Sequence, residues 1–270
     1  MVARVQPDGP PTALWNAAEY AQKCATTHRE FDDWFLRRHP VRQGDDVVDL
    51  GCGTGEFTAH LARLVDPGRV TGIDVDPAMV DTARRHEGGN VTILLGGAEN
   101  ADALVPPQSV DLVVSRAVLH WLPAAALPRV FAAAFTILRP GGWFHAECGG
   151  MGQTPALISV IDALARAHGL PEWPGFPDTG VVFEQLEEAG FAVPEDGVRT
   201  IAQRRPFARE AAAGFCATAA VKALTRHVPD EAGRQELIRE AEARVDELRR
   251  FDGSFDQTFV RLELLVQRPA

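Results

Sequence analysis

Val47-Val48-Asp49-Leu50-Gly51-Cys52-Gly53-Thr54-Gly55 is the stretch that decides how this chain folds. Two β-branched residues, an acid and a leucine read as a buried strand, and the alternating glycines read as a tight turn. Glu56-Phe57-Thr58-Ala59-His60-Leu61-Ala62-Arg63-Leu64 has helical periodicity, so the order is strand, glycine turn, helix. Glycine suits the turn because the backbone must reach positive φ and approach a ligand without a Cβ in the way. N–H groups at the helix start then face whatever occupies the turn. The plain alternative is an ordinary glycine-rich loop in an unrelated α/β protein.

Spacing separates two nucleotide-binding readings. A dinucleotide fingerprint is G-x-G-x-x-G, its third glycine packing helix on strand over a pyrophosphate. Here the third glycine, Gly55, arrives one residue early and Glu56 follows it. An acid at the helix start opposes a pyrophosphate, and Asp49 before the turn also suits a cationic ligand better than an anionic one.

Strand and helix alternate beyond the turn. Arg69 to Asp74 is an apolar strand ending in an acid, and a helix opens at Pro77 with Asp76 as its cap. Asp74 lies about twenty residues past the turn, where a carboxylate can accept both hydroxyls of a ribose. Val91 to Leu95 and Val110 to Ser115 are the next strands. A helix starts at Leu127 and stops at Leu138-Arg139-Pro140-Gly141-Gly142, and Trp143 to Cys148 is the fifth strand. Such alternation specifies a parallel sheet with ligands at the carboxyl ends of its strands.

D-L-G-C-G-T-G, D-L-V-V-S, V-L-H-W-L and L-R-P-G-G, in that order over Val47 to Cys148, resemble the landmarks of class I S-adenosylmethionine-dependent methyltransferases. The resemblance implies a Rossmann-like α/β fold, a seven-stranded mostly parallel sheet with helices on both faces and a helical cap. It also implies S-adenosyl-L-methionine as cofactor, a sulfonium donor without phosphate. W-N-x-x-x-Y-x-Q over Trp15 to Gln22, A-V-L-H-W-L and a late helical insert are similar to the trans-aconitate and juvenile-hormone-acid methyltransferase group, small-molecule carboxyl O-methyltransferases. In related enzymes the loop after the third strand edges the adenine, often with Asp where this chain has Gly97. That departure shifts a side-chain contact onto Glu99 and leaves the Ala98 N–H for a ring nitrogen.

The donor site expected from the motifs and the resemblance comprises Asp49, Gly51, Gly53, Gly55, Asp74, Val75, Met79, Ala98, Glu99, Ser115, Gln22 and Trp15. His120, Tyr20 and Trp121 are expected at the reacting atoms. Tyr20, the chain's one tyrosine, belongs to a helical N-terminal region that reads either as packing or as a lid over the turn. A carboxylate acceptor is already ionised near pH 7, whereas a phenol or alcohol needs a base, for which His120 is the natural candidate. His120 also reads as a hydrogen-bonded helix residue, and His145, alternating within the fifth strand, reads as core. Methylation of a small molecule at oxygen is the expected activity. Small-molecule N- or C-methylation, and donor binding without transfer, are the alternatives.

Bulk composition bounds these readings. The chain has 270 residues, enough for one large α/β domain, with 46% hydrophobic and 24% charged residues. A net charge of −10 provides no overall positive field for phosphates. Ser115-Arg116-Ala117-Val118 is not N-P-P-Y-like and no cysteine follows a proline, so a nucleic-acid methyltransferase is disfavoured. Cys24, Cys52, Cys148 and Cys216 are scattered with no C-x-x-C pair, which indicates neither a zinc site nor a disulfide framework. No metal site, no membrane partner and a cytoplasmic location are expected, since no apolar signal core or spanning run is present. Oligomeric state is left open. The expected organisation is a single domain over 1–270, with a donor-binding half at 41–150, an N-terminal helical lid at 1–40 and a helical cap at 203–252. Along that cap, Glu240 and Arg244 have the spacing of a helical ion pair.

Overall fold

The computed structural model describes residues 34–39, 41–171, 175–207, 222–225, 227–249, 251 and 255–270. Strand β1 (Val47–Leu50) leads to helix α1 (Glu56–Val65), β2 (Val70–Asp74) to α2 (Pro77–Ala83), and β3 (Val91–Leu95) to the short α3 (Ala101–Leu104). β4 (Val110–Arg116) leads to α4 (Leu127–Ile137), and β5 (Leu138–Gly149) to α5 (Pro155–His168). Then come α6 (Thr179–Glu188), β6 (Val198–Phe207), α7 (Lys222–Thr225), α8 (Glu231–Ala243) and β7 (Phe255–Gln267).

The strands form one sheet in the order β3-β2-β1-β4-β5-β7-β6. β1 to β5 pair in parallel, and β7 runs antiparallel to both β5 and β6. This is the expected Rossmann-like, mostly parallel sheet. β1 lies between β2 and β4, so the chain switches direction of travel across the sheet there, and a crevice opens at the carboxyl ends of β1 and β4.

Period-2 burial assigns the two faces. Val47, Val70, Leu112 and Val114 point to one side and pack with Leu61, Ala62 and Val65 of α1 and with Phe35. Val48, Leu50, Val113, Phe144 and Ala146 point to the other and pack with Val130, Phe131, Ala134 and Ile137 of α4. Buried positions on α1 recur at steps of three and four, Thr58, Leu61, Ala62 and Val65, which is one helical stripe. Each fully buried Val, Leu or Phe contributes roughly 1.5–3 kcal/mol, so this layering sets the register of the crevice above it. At α2 the Asp76 side chain accepts from the Ala78 N–H over 2.8 Å and Pro77 opens the first turn, as the sequence specifies.

Differences from expectation have local causes. β5 begins at Leu138 rather than Trp143, because the Pro-Gly-Gly segment that stops α4 re-enters the ladder through a register shift opposite Val110–Leu112. β6 begins at Val198, directly after the turn that the Gly197 N–H closes on the Pro194 carbonyl. It then follows β7 out to Phe207, so residues 203–207 of the expected cap are strand. Glu240 reaches His168 of α5 at 2.9 Å and Arg244 lies 3.8 Å from Glu247, which replaces the expected Glu240–Arg244 pair. Leu224, Leu237, Ala241, Val245 and Leu248 form a second core with Leu157, Ile161 and Leu164 of α5, so the late helices pack on α5. Most of the expected N-terminal lid and residues 208–221 of the cap lie outside the described residues. Among the described residues no helix is long and apolar enough to cross a membrane, and no group of His, Cys, Asp or Glu could hold a metal ion.

Candidate functional site

Gly51, Gly53 and Gly55 take φ of 75°, 55° and 87°, the left-handed conformation that side chains resist. A Cβ on Gly51 would come within 2.2 Å of Val118 Cγ2, and one on Gly55 within 3.0 Å of Ala83, whereas nothing lies within 4 Å of Gly53. The outer glycines therefore let two neighbours close in, and the middle one faces open space. N–H groups of Gly51 and Cys52 both donate to the Ile73 carbonyl, at 2.7 and 3.0 Å, which fastens the turn to β2. Beneath it Asp49 is 2% exposed and accepts from Thr58 Oγ1 over 2.6 Å. Glu56 is bound by Thr54 and by Arg85.

Asp74 ends β2. Its Oδ2 accepts from the Gly53 N–H at 2.8 Å and its Oδ1 from the Asp76 N–H at 2.9 Å. Burial raises its pKa above the usual carboxylate value, against those hydrogen bonds. A carboxylate has about four lone-pair positions, so each oxygen keeps one for a further donor such as a sugar hydroxyl. Val75 beside it is 51% exposed and Met79 is buried in α2. Ala98 is buried in the turn after β3, and a Cβ on Gly97 would come within 2.3 Å of Glu99 Oε1. The Glu99 carboxyl thus fills the place that a side chain at 97 would take.

Across the crevice, β4 runs into a left-handed Ala117, φ 56°, whose N–H donates to the Glu147 carbonyl over 2.7 Å. The single turn Leu119–Trp121 follows. His120 Nδ1 accepts from the Gly149 N–H at 3.1 Å, and its ring lies 4.9 Å from Trp121 and 5.9 Å from Phe176. Val118, seated on Gly51, brings this turn over the glycines. Ser115 is fully buried and its hydroxyl donates to the Leu50 carbonyl over 3.0 Å, so it ties β4 to β1 and offers a ligand no side-chain atom.

A charged cluster backs the α1 side of the sheet. Glu263 and His145 are both 0% exposed; Arg199 Nε lies 2.6 Å from Glu263, and Arg38 also binds it. His145 stacks on Phe35 at 3.7 Å, as a core residue. Burial lowers the His145 pKa, so the ring is held neutral. Burial raises that of Glu263, but hydrogen bonds from His145, Arg38 and Arg199 outweigh this and hold the carboxyl at about 2.

Known proteins agree with this geometry. A methyltransferase domain family matches residues 47–142, the strands and turns that build the crevice. An uncharacterized methyltransferase of Schizosaccharomyces pombe is 32% identical over 194 residues, which cover 68% of this chain and 72% of that protein. The chain is a class I methyltransferase. Its methyl donor is S-adenosyl-L-methionine. Trans-aconitate 2-methyltransferases of Methylobacterium radiotolerans and Streptomyces coelicolor are 35% and 33% identical, over 48% and 54% of this chain and 47% and 49% of their own. The methyltransferase thus spans about half the length of those relatives. A Haemonchus contortus phosphoethanolamine N-methyltransferase, solved with S-adenosylhomocysteine, superposes with a TM-score of 0.57 at 14% identity, over 94% of this chain and 57% of that one. A cyclopropane synthase of Mycobacterium tuberculosis superposes with a TM-score of 0.53 at 18% identity, covering 88% and 83%. Those two likenesses are of fold, and the fold hosts more than one chemistry.

Asp49 and the three glycines belong to β1 and the turn after it, Asp74 and Val75 to the end of β2, Ala98 and Glu99 to the turn after β3, and His120 and Trp121 to the turn after β4, so the methyltransferase carries them on four neighbouring parallel strands. Trp15, Tyr20 and Gln22 lie outside the described residues. Sequence reasoning missed Gly149 as partner of His120 and Phe176 as its neighbour. Neither carries a motif: Phe176 sits in a Pro/Trp loop, and Gly149 is one of many glycines.

Proposed function

We propose that this methyltransferase esterifies a carboxylate of a small acceptor, held between the glycine turn and the His120–Trp121 turn. The observation that carries the reading is the hydrogen bond from the Gly149 N–H to His120 Nδ1. A peptide N–H only donates, so Nδ1 presents its lone pair and the neutral ring carries its proton on Nε2. His120 then offers an N–H to the acceptor rather than a base. That suits an acceptor which is already an anion, and does not suit a hydroxyl that must lose a proton.

Bound S-adenosylmethionine supplies an electrophilic methyl group on a sulfonium. Asp74 would hold the ribose, the open face of Gly53 would admit the chain leading to sulfur, and Glu99 and Val75 would edge the adenine. His120 Nε2–H would fix one acceptor oxygen so that the other points along the line of transfer, with Trp121 and Phe176 excluding water around it. No proton moves in that step. Relatives named for trans-aconitate, a carboxylate, support the same class, and the net charge of −10 favours a small acceptor over nucleic acid.

A panel of small di- and tricarboxylates, their monoesters, phenols and amines, scored by S-adenosylhomocysteine release with mass spectrometry of the product, tests this. Methyl esters from carboxylates alone are expected. Methylated phenols or amines with untouched carboxylates would overturn it.

A further inference from the structure

Gly149 ends β5 on the face that His145 and Glu147 also occupy, and its missing side chain leaves room there. A Cβ at Gly149 would come within 2.6 Å of the Phe176 ring and 3.5 Å of Gln153 Cγ, so both side chains lie over the glycine. Arg261 of β7 pairs with Gly149, and residues opposed across an antiparallel pair share a face with their Cα atoms about 5 Å apart. Arg261 and Gln153 thus flank the residue whose N–H fixes His120. We propose that these two side chains determine acceptor specificity by binding a second oxyanion of the acceptor, apart from the carboxylate that is methylated. The inference rests on the carboxylate reading, with the acceptor lying against His120.

Each of the two is held from behind and keeps donors to spare. Glu147, 3% exposed, sits diagonally across the β5–β7 ladder and binds Arg261 Nη2. The next acid on that face, Glu263, is taken by Arg38 and Arg199. A guanidinium carries five N–H donors, so a fork anchored through one nitrogen still offers others, and the Arg261 side chain is 16% exposed. Gln153 returns to the same rung through a turn in which Gly152 has φ 84° and the Gln153 N–H donates to the Gly150 carbonyl over 3.0 Å. Its buried Oε1 accepts from the Val260 N–H at 2.6 Å, which turns the two N–H donors of the amide nitrogen away from β7. With His120 Nε2–H these make three donor groups, each oriented through its other end. Donors fixed in advance suit an acceptor rich in anionic oxygens, because little freedom is lost on binding.

Acceptor series with one group changed test the assignment: succinate, glutarate and adipate, their monoamides, and the phosphono acids of matching length. In the native protein kcat/KM for a dianion is expected to exceed that for its monoamide on the order of ten- to a hundredfold. Phosphono acids as good as the dicarboxylates identify a general oxyanion site, and poor ones a site for a planar carboxylate; both agree with the role. Gln153→Glu, assayed at about pH 8 so that the new carboxyl is ionised, keeps an acceptor for Val260 and replaces two donors by negative charge, so the preference should vanish. Arg261→Lys keeps a cation beside Glu147 without the fork, and the preference should fall severalfold. A melting curve reports folding, and a variant that fails to fold leaves the other variant and the native series to decide. Monoamides methylated as well as dianions by the native protein, or variants that lose turnover on both acceptors equally, would overturn the role. A native protein that esterifies no carboxylate would instead sink the reading on which the role rests.

Discussion

Gly149, the last residue of β5, donates its main-chain N–H to Nδ1 of His120 across 3.1 Å. A backbone group on the sheet thereby sets the tautomer of a side chain in the turn after β4. His120→Ala should cut turnover on the order of 10²-fold through lost positioning, with donor affinity nearly unchanged. His120→Gln, whose amide N–H reaches the place of Nε2–H, should keep a substantial part of the activity. Steady-state kinetics with calorimetry of S-adenosylhomocysteine check both, and a Gln variant as inactive as the Ala variant would point to a base instead.

The pH profile separates the same roles. A donor histidine adds no rising limb to kcat/KM near its ordinary pKa of about 6.5, whereas a general base does. Activity on a carboxylate acceptor should therefore stay level from about pH 6 to 8.

Gly51 carries a steric constraint and a conformational one. Gly51→Ala places a methyl against Val118 and forces alanine to φ 75°. Strain of about 1–2 kcal/mol for the left-handed residue adds to about 1–3 kcal/mol of overpacking. The variant should melt several degrees lower and lose donor binding. Adding Val118→Ala should recover the packing share only, as a melting comparison of single and double variants would show.

Glu263 is expected to govern acid stability. Its folded pKa of about 2 lies below the ordinary 4.5, so its contribution is fully present above 4.5 and is lost as pH falls towards 2. The difference corresponds to about 3 kcal/mol as an order of magnitude. Buried neutral His145 acts with the same sign, because an unfolded chain takes up the proton that the folded ring resists. Denaturant titrations should show Glu263→Gln weaker by a few kcal/mol at pH 7, with the gap to the native protein closing below pH 4.

Local signals made the donor half legible. The glycine turn, Asp76-Pro77 and Asp74 act over a few residues, through φ, capping and strand-end position, and the structure builds each where the sequence places it. Arg38, Arg199, His145 and Glu263 meet from four distant segments, and no spacing within the chain announces such a cluster. The same holds for Gly149 and His120, which are neighbours only because β5 pairs with β4. The far end of β6 is set in the same way: it follows β7 out to Phe207, into residues expected as cap, and one strand's apolar pattern does not reveal its partner's length.

The most direct measurement of the central claim is a crystal structure with S-adenosylhomocysteine bound. The ribose hydroxyls should lie on the Asp74 carboxylate, the sulfur above Gly53, and the His120 ring across from it with Nε2 facing the acceptor space. A nucleoside seated elsewhere, or a His120 ring turned so that Nδ1 leaves the Gly149 N–H, would contradict it.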